Sequence, residues 1–165
     1  MKTQITLENS FSEIANEAAK NLDSDSEKSK VVLLIDRGLM DGSAFISEEK
    51  WQELLDHMEV EDIAEIREDR YDAVIHMVSA ADGAKEFYVT QVEGESRYED
   101  EAAAIEQDKK LRKAYSGMSP HQYFMIDNLQ GGFKEKIRKT KEAVFDVLGT
   151  NAATKFDRKY LLKKP

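Results

Sequence analysis

Apolar positions along this chain follow more than one period. Phe11, Ile14, Ala15, Ala18, Ala19 and Leu22 recur at helical spacing, which predicts an amphipathic helix over about Ile5 to Asn21. A charged, serine-rich loop follows from Asp23 to Lys30. Then Val31-Val32-Leu33-Leu34-Ile35 runs without a polar break into Asp36-Arg37-Gly38. Such a run reads as a strand buried on both faces, as in a parallel sheet covered by helices. Ser47 is a fitting N-cap, with Glu48 and Glu49 in the first turn of a helix that reaches about His57 and buries Trp51, Leu54 and Leu55. A short helix near Val60 to Glu68 and a strand over Ala73 to Ser79 come next. Asp82 to Gly94 is turn-rich, with Phe87-Tyr88-Val89-Thr90 as a short strand, and a helix then runs through Tyr115. Tyr123 to Ile126 is a further strand. Phe133, Ile137, Val144 and Leu148 mark a last helix that ends at Gly149, a suitable C′ residue. The alternation predicts an α/β fold: a parallel sheet with helices on both faces. Residues 1–150 read as one domain and 151–165 as a linker or the start of another.

Asp36 carries the first chemical expectation. The carboxyl ends of strands are where open α/β sheets bind ligands. A carboxylate there suits Mg²⁺ or its water beside phosphates, and Arg37 can pair with phosphate oxygens bidentately. The plain alternative is a core strand ended by a polar turn. His76 reads as a packed histidine on a sheet rather than a general base. Arg97 and Arg112 are candidates to neutralise a transferring phosphoryl group. Helical spacing equally allows Arg97 to pair with Glu99 or Glu101, and it favours Arg112 pairing with Asp108.

Composition narrows the classes. The 165 residues are 41% hydrophobic and 35% charged, enough for one ordinary core. Cysteine is absent, so disulfides and thiolate metal sites are excluded. His57, His76 and His121 are too scattered for a zinc site. No apolar run is long enough to span a bilayer, and no signal-like segment opens the sequence, so a cytoplasmic location is the default. The net charge is −9, but residues 134–165 carry +6 and the remainder −15. The acidic body argues against specific nucleic-acid binding. The basic C-terminal helix, with Lys134, Lys136, Arg138, Lys139 and Lys141, either meets an anionic membrane surface or, the preferred reading, is a solvated face.

Longer blocks carry a resemblance. Asp36-Arg37-Gly38-Leu39-Met40-Asp41-Gly42-Ser43-Ala44-Phe45, then Trp51, Tyr71 to Val78, Ala80-Ala81-Asp82-Gly83-Ala84, Ile126-Asp127-Asn128, Phe133 and Lys136 occur in that order. Together they resemble the AAA-type P-loop domain of the NadR/Ttd14 group, closer to its eukaryotic branch, over about Gln4 to Lys139. The resemblance implies a nucleoside-kinase-like sheet and binding of a purine nucleotide, GTP or ATP, with Mg²⁺. It implies Asp36 as the metal ligand, Asp36, Arg37 and Arg97 as catalytic candidates, and Asp82 and Asn128 as further cofactor contacts. For the eukaryotic branch it also implies phosphoinositide binding and membrane-protein trafficking, so a peripheral membrane location. The leading function is a GTP-preferring switch or trafficking domain. The alternative is an ATP-dependent kinase of nucleoside-like substrates, with Asp36 or Asp41 as base, and a third reading is a remnant with a packing role. One departure is large: none of the eight glycines belongs to a G-x-x-x-x-G-K-[ST] loop, the phosphate cradle of such domains. The domain therefore reads as incomplete at its N-terminus, with nucleotide binding compromised. In the family the loop's strand lies between the strand ending in the Asp and the next one. The expectation is an empty slot between Val31–Asp36 and Ala73–Ser79, with low stability or aggregation through the exposed edges.

Overall fold

The computed structural model describes residues 1–21, 30–87, 100–128 and 131–149. Helix α1 spans Lys2–Lys20. A 3₁₀ turn at Leu39–Ala44 leads to α2, Glu48–His57, and a second at Ile63–Ile66 leads to strand β1, Val74–Met77. A third turn, Lys85–Phe87, α3 at Glu101–Ala114, β2 at Tyr123–Ile126 and α4 at Gly132–Leu148 complete the order. The fold is thus helical with a small parallel sheet, compatible with an α/β P-loop-like domain. β1 and β2 pair in register Val74↔Tyr123 to Met77↔Ile126. The crossover between parallel strands contains α3, as such connections require.

Local signals explain most boundaries. The Ser47 hydroxyl accepts from the Lys50 amide and starts α2. Asp100 caps α3 through the Ala103 amide. Gly149 sits at φ 63°, ψ 31° and ends α4 in the left-handed conformation. The predicted helix at Val60–Glu68 is shorter and tighter, a single 3₁₀ turn capped by Asp62. The strand expected within Phe87–Thr90 and the segment after residue 149 lie wholly or mostly outside the described residues.

The core cluster lies where the 3₁₀ turns, α2 and the end of α3 meet. Leu39, Met40, Trp51, Leu55, Ile66, Ala114 and Tyr115 form it, with Ile5, Val74 and Tyr123 packed against it. Two expectations fail here. Val31–Asp36 is not a strand of the sheet: it makes no backbone hydrogen bond with another described residue, and all six residues are exposed, Leu34 at 78%. An apolar run becomes a strand only when an edge pairs with it, and none does here. The stripe of α1 is also uncovered. Phe11 and Ile14 are exposed, and the helix's one buried residue is Glu8.

Between Val31–Asp36 and β1 lies a cleft of about 1160 Å³. The two segments do not pair with each other. Residues Met1 to Thr6 do not fill the cleft, since all but Met1 belong to α1.

Candidate functional site

The cleft has an apolar length and a polar end. Asp36, Arg37 and Asp41 line it, as do His76, Ser79 and Asp108. Ser79 follows β1 at its carboxyl end, whereas the Gly38–Asp41 segment meets Tyr71, which precedes β1, and Tyr115, which ends α3.

Asp36 is exposed beside the cleft and Arg37 stands next to it at φ 76°. The Arg37 guanidinium lies 3.6 Å from Asp41 and over the Phe45 ring at 5.8 Å. Its carbonyl accepts from the Gln4 side chain at 2.8 Å, which ties the segment to α1. The Tyr115 hydroxyl donates to Asp41 at 2.7 Å, and burial, then Asp41, holds the phenol protonated far above its ordinary range. Tyr71 accepts from the Leu39 amide at 2.9 Å and donates to Glu8. Burial is the largest cause that pushes Tyr71 up to about 12. Glu8 also accepts from Arg70 Nε at 2.6 Å.

Asp108, on α3, organises a second set of lining residues. It accepts from the Ser79 amide at 2.9 Å and from Arg112 Nε at 2.6 Å, and lies 3.2 Å from His76 Nε2. Arg112 continues to Asp82 at 3.0 Å. The favoured structural pairing of Arg112 with Asp108 is therefore observed. Asn128, just after β2, donates to the carbonyls of Ser79 and Asp82 at 2.7 Å each and accepts from Lys136 at 2.7 Å. Asp82 and Asn128 thus brace the loop after β1 and do not line the cleft. Arg97 lies outside the described residues. The structure brings Asp36 and Arg37 to the cleft and joins Asp82 to Asn128, leaving the two pairs apart.

Sequence reasoning passed over Glu8 and the central role of Asp108. Each is a carboxylate placed on the side of a helix that faces the protein, and that misplacement in the pattern was the available signal. On α4, Lys134, Arg138 and Lys141 are exposed, as a solvated face requires, and Lys136 is the departure from it. Lys136 is half-buried against Val78 and Asn128, Lys139 pairs with Asp127, and Arg138 pairs with Glu135 and Glu142. No helix among the described residues is long and apolar enough to cross a membrane.

His76 supplies a pH test. Burial lowers its pKa below the ordinary 6.5, against the opposing pull of Asp108. The unfolded chain therefore binds a proton that the folded chain resists. This contribution to stability is whole above that value and is lost as pH falls through it. Tm is expected to drop between about pH 7.5 and 5.5, and His76→Gln should flatten the drop. A wild-type Tm that rises over this range because of His76 would mean a cationic histidine paired with Asp108.

The chain matches the model of a family described as AAA domain over residues 3–136. No curated protein matches it. No solved structure matches it either. The match spans well over half of the 165 residues and brings nucleotide and Mg²⁺ use in general terms, as for P-loop NTPase-like domains: this chain belongs to the AAA domain family.

Proposed function

We propose that this domain is a purine-nucleotide-binding module of the NadR/Ttd14 type, GTP preferred, with its site at the polar end of the cleft. The AAA-domain match is the observation that carries the reading. The place of Asp36 and Arg37 in the lining of the cleft supports it. The residues present fit the ligand only in part. A Mg²⁺ ion shared with phosphates needs one or two protein carboxylates, and Asp36 is an exposed one. Among the described residues no cluster of three acidic or histidine ligands exists, so the metal would rely on phosphate and water for its other contacts. The phosphate cradle does not fit: its glycine-lysine loop is absent from the sequence. Asp36 would hold the metal's water and Arg37 would meet phosphate oxygens.

A switch or trafficking role fits better than kinase chemistry. A kinase base must reach the acceptor hydroxyl, and Asp41 is occupied by Tyr115 and Arg37. Phosphoinositide contact belongs to the same proposal, through Lys134 and Lys141 on α4, which no ion pair among the described residues engages.

Titration with Mg²⁺-GTP and Mg²⁺-ATP, followed by amide NMR, tests the reading. The chain is expected to bind weakly, with Kd above about 1 μM, and to shift the signals of Asp36, Arg37 and Ser79. Asp36→Asn should abolish the Mg²⁺ dependence with the fold intact. A Kd below about 1 μM, worth more than about 8 kcal/mol, would reveal a phosphate site elsewhere. Saturation without any shift at the cleft would remove the site from it.

A further inference from the structure

We propose that the Glu8 carboxylate is the positioning group of the candidate site: through Gln4 and Tyr71 it clamps the backbone on both sides of Gly38, and so fixes the direction in which Arg37 leaves the chain. The clamp belongs to the free chain, while its use rests on the reading of Arg37 as a phosphate contact. Glu8 is 6% exposed on a helix that leaves Phe11 and Ile14 in solvent. Burying a carboxylate is costly unless it is paired and hydrogen-bonded, so apolar packing does not explain its place. Its partners do. Arg70 Nε donates to Oε2 at 2.6 Å, Gln4 Nε2 to Oε1 at 2.9 Å and the Tyr71 hydroxyl to Oε1 at 3.2 Å. Arg70 also donates to the Asn9 side chain at 3.0 Å, which pins α1 to the residues that lead into β1.

Two of these partners each make a second bond. A carboxamide nitrogen carries two protons, and Gln4 gives one to Glu8 and the other to the Arg37 carbonyl at 2.8 Å. A phenol donates once and still accepts: Tyr71 donates to Glu8 and accepts from the Leu39 amide at 2.9 Å. The Arg37 carbonyl and the Leu39 amide flank Gly38. One carboxylate therefore orients both groups that hold this stretch of backbone.

Arg37 needs such a hold. It stands at φ 76°, where a residue other than glycine is strained and persists only if its surroundings overdetermine it. Relaxation to an extended backbone would swing the side chain to a new direction. The guanidinium now lies 3.6 Å from Asp41 and over the Phe45 ring, in the lining of the cleft. Its side chain is 61% exposed, so little packing restrains it and the backbone sets where it points. A purely structural Glu8 would steady α1 without changing Arg37. A positioning Glu8 changes Arg37 first.

The test uses the full 165-residue chain, isotope-labelled for NMR. The Arg37 Cα and Cβ shifts and its amide–Hα coupling report φ. They are expected in the left-handed range in the unaltered chain. In Glu8→Met and in Gln4→Met they should move to the extended range, with the signals of β2 in place. Gln4→Met is near-isosteric and leaves Arg70 and Tyr71 on Glu8, so it decides the matter if Glu8→Met does not fold. Folded variants that keep Arg37 left-handed would overturn the proposal. Titration with Mg²⁺-GTP reads the consequence. Kd should rise at least about threefold in either variant, because only the clamped fraction is competent. Adding Arg37→Ala to either should cost less than about a further twofold, since coupled residues do not lose affinity additively. Losses that add in full would mean that Glu8 only steadies α1, and would also overturn the proposal. If Arg37→Ala alone leaves Kd unchanged, or no nucleotide binds, while Arg37 still leaves the left-handed range in the variants, the phosphate reading of Arg37 fails and the clamp stands.

Discussion

Asp108→Ala is expected to cost about 3 kcal/mol of folding stability, measured by urea unfolding near pH 7.5. The side chain is buried and accepts from the Ser79 amide and from Arg112, with His76 at 3.2 Å. Truncation leaves a buried amide without its acceptor and a guanidinium held, among the described residues, by exposed Asp82. Removing one partner of such a group is costly because the remaining polar atoms stay desolvated. Asp108→Asn should cost less, since the amide oxygen can still accept from Ser79. The loss has a local signature too: the Ser79 amide, at the end of β1 and at the cleft's polar wall, should exchange hydrogen faster. A cost below about 1 kcal/mol, the scale of an exposed ion pair, would show that Asp108 is not the anchor of this wall.

That anchor marks the boundary of what the sequence discloses. Strand β2 was legible to the residue, because four apolar residues between turn signals leave little choice. The start of α2 and the end of α4 were legible because Ser47 and Gly149 act on their immediate neighbours. Val31–Asp36 was read with equal force, and the structure leaves it outside the sheet. Its apolarity says that the segment belongs in an interior; it says nothing about whether an edge is there to receive it. Phe11 and Ile14 teach the same lesson on α1. Periodicity shows which residues share a helix face, while covering that face depends on another element.

The candidate site divides in the same way. Asp36 and Arg37 follow an apolar run, and their adjacency along the chain is enough to place them together beside the cleft. Asp82 and Asn128 lie 46 positions apart, and the structure joins them by one hydrogen bond. Their role there is to fix a loop, which residue type alone does not reveal. Glu8 is 6% exposed and is satisfied by Gln4, Arg70 and Tyr71. Two of those partners lie more than 60 residues away, beyond the range of any local pattern.

Gly38 offers the sharpest steric test, because its backbone is extended at φ −80°, ψ 169° and accepts any residue. What requires glycine is the neighbour. A Cβ at this position would stand 2.3 Å from the Tyr115 hydroxyl and 3.5 Å from the ring carbon that carries it. Gly38→Ala therefore displaces a buried phenol that holds Asp41 at 2.7 Å, and should cost about 2–3 kcal/mol. Tyr115→Phe loses one hydrogen bond and should cost about 1 kcal/mol. The two changes should not add. Without the hydroxyl the methyl meets ring carbons of Tyr71 at 3.4 Å and Tyr115 at 3.5 Å, ordinary contact distances, so the double variant should be more stable than the sum by at least about 1 kcal/mol. Thermal or urea unfolding of the four proteins reads this coupling. Additive losses would mean that Gly38 is needed for something other than room for Tyr115. A positive coupling would explain the glycine of the Asp36-Arg37-Gly38 block by packing: it lets Tyr115 close beneath the segment, hold Asp41, and through Asp41 orient Arg37 beside the cleft.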